Sequence, residues 1–173
     1  PTKTAFPRLG GIFYRNSAAN FGSTFTDPVY QQNIAKYDVG VLNMWKLWGN
    51  SIAAMNAPID AIKALNPHIL LGNYTLLESN YQDGQDVANK LSSSTGPTAN
   101  GGTWQPNDWW AHHPDGNIDS NSGYPNQKLT NPTGFTTPDA NGDRFSQFYG
   151  GWSAANLLNP ITQLDFVFSD NAF

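Results

Sequence analysis

An α/β fold with a parallel sheet is what this sequence predicts. Three observations point to it. Four short apolar runs of strand character recur along the chain, each ends in a polar residue, and the runs are separated by stretches with helical signals. The runs are nearly unbroken rather than striped, as strands covered on both faces require. Strand, helix and strand in alternation imply right-handed crossovers between parallel strands. The periodicity alone leaves open whether the sheet is doubly wound or part of a barrel.

The first run is Leu9 to Tyr14, ending at Arg15 and Asn16; the second is Val39 to Leu42, ending at Asn43. The third is Ile69 to Leu71, continuing through Gly72 to Asn73 and Tyr74, and the fourth is Phe166 to Phe168, ending at Asp170. Between the first two, Asp27 followed by Pro28 makes an N-cap with proline in the first turn. Pro58 opens a helix to Leu65 whose Ile59, Ile62 and Leu65 fall on one face, and Asn66 with Pro67 stops it. A shorter helix is expected over 85–91. The strongest helical pattern runs from Arg144 to Leu158, capped by Asp143, with Phe145, Phe148, Trp152 and Ala155 along one side. Asn159 and Pro160 end it.

From about Ser92 to Gly142 the pattern fails, and Gly, Pro, Asn, Ser and Thr surround isolated aromatics. A long, aromatic-rich loop before the fourth strand is therefore expected, ordered because Trp104, Trp109, Trp110 and Tyr124 are of no use to a solvated linker. At 173 residues the chain suits a single domain over 1–173. With nine Lys and Arg against thirteen acids, and no basic run, it has no electrostatic footprint for nucleic acid or an anionic membrane surface. No apolar run is long enough to span a bilayer. Zero Cys excludes disulfides, thiolate metal sites and a cysteine nucleophile. There is no phosphate-binding glycine loop, no dinucleotide fingerprint and no nucleophile elbow, so no cofactor is expected.

In parallel α/β folds the working residues gather at the carboxyl ends of the strands. Asn43, Asn73, Tyr74 and Asp170 stand there, with Asn171 beside the last. Asp170 is a candidate acid, with a loop anchor or helix cap as its plainer role. Glu78, the sole glutamate, lies just past the third run and is a candidate second acid. Asp165 begins its strand and belongs at the opposite, structural end. His112 and His113 with Asp115 invite a metal, but adjacent side chains on extended backbone point to opposite faces, so no metal site is expected and His112 is instead a candidate substrate contact. Trp109 and Trp110 in a polar loop could stack on sugar rings while Asn, Asp and His read hydroxyls, and twenty asparagines supply such partners.

The stretch Leu164-Asp165-Phe166-Val167-Phe168-Ser169-Asp170-Asn171 resembles the fourth strand of a broad group of glycoside hydrolases with TIM-barrel folds, where an Asp-Gly-hydrophobic-Phe-x-Asp-Asn segment carries an acid at the strand end. Similar too are Ala35-Lys36-Tyr37-Asp38-Val39, Leu65-Asn66-Pro67-His68-Ile69-Leu70-Leu71, and Trp109-Trp110-Ala111-His112-His113-Pro114-Asp115-Gly116-Asn117 followed by Leu129-Thr130-Asn131-Pro132-Thr133. Phe166 stands where the group usually has Gly. An eight-unit barrel takes about 250 residues, so the resemblance implies β/α units forming half of a TIM barrel, a segment of a longer catalytic domain. It also implies a glycosidase acting by carboxylate acid/base catalysis, with Asp170 and Glu78 as catalytic candidates. Asn43, Asn73, Tyr74, Trp109, Trp110, His112 and Asn171 would then be substrate contacts. The expected partner is a poly- or oligosaccharide in a secreted or extracellular setting, with self-association or the remaining half-barrel closing the sheet. A non-catalytic carbohydrate-binding or structural surface protein is the alternative.

Overall fold

The computed structural model describes residues 8–14, 23–43, 52–77, 79–81, 86–93 and 108–170. Contacts divide the chain into two compact units, Pro1–Thr75 with Ser153–Phe168, and Leu76–Trp152 with Ser169–Phe173.

The first unit is organised by four strands, β1 (Gly10–Phe13), β2 (Val39–Leu42), β3 (Leu70–Leu76) and β7 (Phe166–Asp170). They lie in the order β1-β2-β3-β7, the order in which the chain makes them within this sheet. β1, β2 and β3 pair in parallel, with Phe13 opposite Leu42 and Leu42 opposite Asn73. β7 runs the same way: the Asp165 N–H donates to the Leu71 carbonyl at its start, and the Leu77 N–H to the Asp170 carbonyl at its end. Sequential parallel order is what right-handed crossovers of one sense produce.

Helices α1 (Ser23–Thr26), α2 (Pro28–Ile34) and α3 (Ile52–Leu65) make the crossovers. Asp27 caps α2 as its sequence suggests, its carboxylate accepting from the N–H groups of Val29 and Tyr30. α3 starts earlier than the proline signal implied. Pro58 lies inside the helix, buried with Met55, Ile59 and Ile62, so the burial of that face outweighs the proline's disruption. Ile34, Leu42, Met55, Ile59, Ile62, Ile69 and Leu71 form the core between sheet and helices. At the amino end of β7, Asp165 accepts from Lys63 Nζ at 2.7 Å and from the Leu71 N–H at 2.8 Å, a structural role. On the opposite face Ile12, Tyr14 and Leu70 are 43, 55 and 49% exposed.

Phe166 is accommodated by its neighbour. A Cβ at Gly72 would clash with the edge of the Phe166 ring. The Phe166 side chain on β7 is thus received by a glycine on β3.

The second unit departs from the expected long loop. It contains an antiparallel sheet in the order β4 (Ser79–Tyr81), β6 (Tyr124–Leu129), β5 (Ser120–Asn121), together with α4 (Asp86–Ser93) and most of α5 (Phe145–Ser153). Tyr-Pro-Asn-Gln-Lys-Leu in β6 carries no apolar alternation, so these strands are held by pairing and not by a hydrophobic stripe. The Arg144 N–H is taken by Gln147 Oε1 at 2.8 Å, half of a capping box, in place of the expected Asp143 cap. The predicted single helix to Leu158 changes after Ser153 into a π-helical stretch, Ala154–Leu158. Among the described residues no helix is long and apolar enough to cross a membrane.

Candidate functional site

At the carboxyl end of the parallel sheet, strand register decides which side chains share a face. Leu42 belongs to the core beneath the helices, and Asn73 is its registered partner, so Asn73 faces that side as well. It is fully buried, and neither of its amide atoms has a hydrogen-bond partner among the described residues. The expected substrate contact at Asn73 is therefore corrected: a sugar on the open face does not meet it.

Tyr14, Asn43 and Tyr74 stand one position further along and turn to the other face, where Tyr74 is only 7% exposed, so the expected substrate contact at Tyr74 is corrected to packing. The Asn43 N–H continues the ladder to the Phe13 carbonyl at 3.0 Å. Its Oδ1 is buried without a partner among the described residues. A buried, unpaired acceptor costs about 1–3 kcal/mol, which makes it a place where a ligand donor would be favoured. Tyr74 touches Tyr14 edge-on, with centroids 6.4 Å apart, and stacks on Phe168 at 6.0 Å. Period-two reading of β1 and β7 would have found Tyr14 and Phe168, which the sequence analysis did not single out.

Alternation along β7 puts Asp170 on the face of Phe166 and Phe168. It is half-buried at the strand's carboxyl end, and its backbone carbonyl accepts from Leu77. Glu78 and Asn171, like Arg15 and Asn16, lie outside the described residues.

The aromatic and histidine candidates of the second unit have other work. Trp109 and Trp110 are 0 and 1% exposed, packed in a core with Val87, Leu91, Phe145 and Tyr149. Neither indole offers a face to a sugar, so the expected stacking platform is corrected to core. Trp109 Nε1 donates to the Thr137 carbonyl at 2.9 Å, which satisfies its one polar atom inside that core.

His112 is also withdrawn as a substrate contact, because both ring nitrogens are engaged. Nε2 lies 2.8 Å from Asp108 Oδ1 and Nδ1 lies 3.1 Å from the Gly116 carbonyl. Burial pushes the Asp108 carboxyl up from its ordinary range, against the lowering effect of His112 and of the Trp110 N–H. Asp108, four residues before His112 and missed in the sequence analysis, thus pins the turn that follows the tryptophans. His113 turns the other way, to Asp119 at 2.9 Å. Asp115 accepts from the Asn117 N–H and side-chain amide, which hold its carboxyl below the usual range. No group of three His, Cys, Asp or Glu among the described residues could hold a metal ion.

Comparison with protein-family models, with curated proteins and with solved structures returned no match.

Proposed function

We propose that the chain is a half-barrel segment of a secreted glycoside hydrolase-like enzyme in which Asp170 supplies nucleophilic or acid/base catalysis. The observation that carries this reading is positional: Asp170 is the last residue of β7, the fourth of the sequentially ordered parallel strands, and so stands at the carboxyl end of its strand. Barrel enzymes keep their chemistry at that end. The apolar exposure of the sheet face opposite the helices at Ile12 and Leu70 supports a sheet built to be covered, since parallel sheets are ordinarily buried on both sides.

Glycosidic cleavage needs two carboxyl groups, about 5–5.5 Å apart for retention or about 6.5–9.5 Å for inversion. Asp170 is one, and Glu78 remains the candidate second. Asn43 would hold the sugar, its buried, unpaired Oδ1 offering a hydrogen-bond acceptor.

The test is release of reducing ends from soluble polysaccharides by the complete protein and by Asp170→Asn. The substitution keeps shape and removes proton transfer, so activity falls at least ~10²-fold. Full activity in Asp170→Asn removes the proposed mechanism. Glycan binding without hydrolysis by the unaltered protein selects the non-catalytic carbohydrate-binding reading instead.

A further inference from the structure

Within the first unit, Asn43 Oδ1 is buried with no hydrogen-bond partner among the described residues, and the strand order shows what buries it. β2 lies between β1 and β3, and the pairs Phe13–Leu42 and Leu42–Asn73 put Tyr14, Asn43 and Tyr74 side by side at the next position. The outer strands of such a trio are about 9.6 Å apart, yet the Tyr14 and Tyr74 ring centroids are separated by only 6.4 Å. The two rings therefore lean together across the strand that carries Asn43 and roof its amide.

The halves of this roof are held differently. Tyr74 is 7% exposed and stacks on Phe168, with centroids 6.0 Å apart and 26° between the planes, so its ring is fixed. Tyr14 is 55% exposed and meets Tyr74 edge-on at 61°. Its backbone is anchored instead: the Tyr14 carbonyl accepts from the Tyr30 hydroxyl at 2.9 Å, and Tyr30 packs edge-on against Phe13. A ring with more than half its surface in water exchanges rotamers readily about its own side-chain bonds. Turning Tyr14 off Tyr74 uncovers Asn43 Oδ1.

The chemistry of the uncovered place is narrow. It offers one neutral acceptor, beside a phenol ring that can lie against whatever the acceptor binds. The first unit's strand residues on this face, Ile12, Val41, Leu70, Phe166 and Phe168 among them, carry no charge. An anion finds no counter-charge there among the described residues, and a wholly apolar ligand leaves the acceptor unpaired. A sugar meets both demands, since a hydroxyl donates to the amide oxygen while the C–H face lies on the ring. The geometry points to Tyr14 and Asn43 as a subsite for a neutral pyranose, in which Tyr14 swings off Tyr74 to stack on the sugar and a sugar hydroxyl donates to Asn43 Oδ1. The subsite deepens the hydrolase reading proposed above and rests on it for the substrate class.

The experiment is affinity electrophoresis of the complete protein in gels containing mixed-linkage β-glucan, xylan, galactomannan or soluble starch, with chitosan as the cationic comparison. Melting curves and hydrolysis are measured in parallel. At least one of the neutral polysaccharides should retard the unaltered protein. Tyr14→Ala should weaken that retardation about tenfold with a nearly unchanged melting curve, whereas Tyr14→Phe, which keeps the ring, should retain it. Asn43→Leu should weaken it about tenfold as well and yet melt no lower, because an unpaired acceptor gives way to an apolar side chain of similar size. Retardation by none of the neutral polysaccharides, or equal retardation of Tyr14→Ala or of Asn43→Leu, overturns the assignment. So does a lower melting temperature in Asn43→Leu, which would give the oxygen a partner within the fold, or a Tyr14 dependence confined to chitosan. Tyr14-dependent retardation without hydrolysis overturns the catalytic reading and supports the subsite. Hydrolysis lost in Asp170→Asn, with binding indifferent to Tyr14, overturns the subsite alone.

Discussion

Replacing Gly72 by alanine tests how β3 and β7 are fitted together. The added methyl group would enter the space of the Phe166 ring, and that ring is not free to swing away. Its strand is tied to β3 at the adjoining position by the Asp165 N–H to the Leu71 carbonyl at 2.8 Å. Phe168, two residues on, stacks on Tyr74. Overpacking of this kind costs about 1–3 kcal/mol, offset by about 0.4–1 kcal/mol because alanine restricts the unfolded chain more than glycine does. A net loss of about 1–2 kcal/mol is expected, lowering the melting temperature by about 2–4 °C for each kcal/mol in a chain of this size. Urea unfolding followed by circular dichroism measures it. Phe166→Ala in the Gly72→Ala background should recover part of the loss, and the double-mutant cycle should show a coupling of at least about 1 kcal/mol. A Gly72→Ala protein as stable as the original, or strictly additive effects, would refute the argument.

Two further outcomes follow from ion pairs. The hydrogen bond from Lys90 and those from the N–H groups of Asn141 and Asp143 hold the Asp139 carboxyl below its ordinary range. Its contribution to stability is therefore complete above the unfolded value of about 4 and fades as pH falls through the lower folded value. Asp139→Asn should flatten this acid limb in urea titrations, and an unchanged limb would show that the pair contributes nothing. Asp165→Ala leaves the Leu71 N–H without its side-chain acceptor and should cost about 1–3 kcal/mol, with Asp165→Asn milder; a change below about 0.5 kcal/mol contradicts the structural role.

The parallel sheet was legible because its strands are apolar runs with polar ends, a pattern that burial on both faces imposes on neighbouring residues. Capping at Asp27 and the helix stop at Asn66 are equally local. What escaped was set by tertiary contact. Pro58 reads as a helix start, yet packing of Met55, Ile59 and Ile62 carries the helix through it. Trp109 and Trp110 sit among polar residues in sequence, and only the folding of α4 and α5 around them makes them core. Asn73 looked like a neighbour of Tyr74 in function, but the two-residue period of a strand sends adjacent side chains to opposite faces.

The order of strands in the sheet also sets an order in time. β1, β2 and β3 are made one after another, whereas β7 leaves the ribosome about ninety residues after β3, some 5–18 s later at ordinary rates of synthesis. Throughout that interval β3 waits with one side unpaired, offering its N–H and C=O groups to any strand that arrives first. The intervening segment carries β4, α4, β5, β6 and α5, and a partly folded insert there would delay or misdirect the last pairing. Closing so long a connection costs only about 1 kcal/mol more than the β2 to β3 crossover, so the burden falls on folding rate and not on final stability. A chain of this design will gain most in yield from a low concentration of nascent chains, which makes it rarer for the unpaired edge of β3 to meet another copy before β7 arrives.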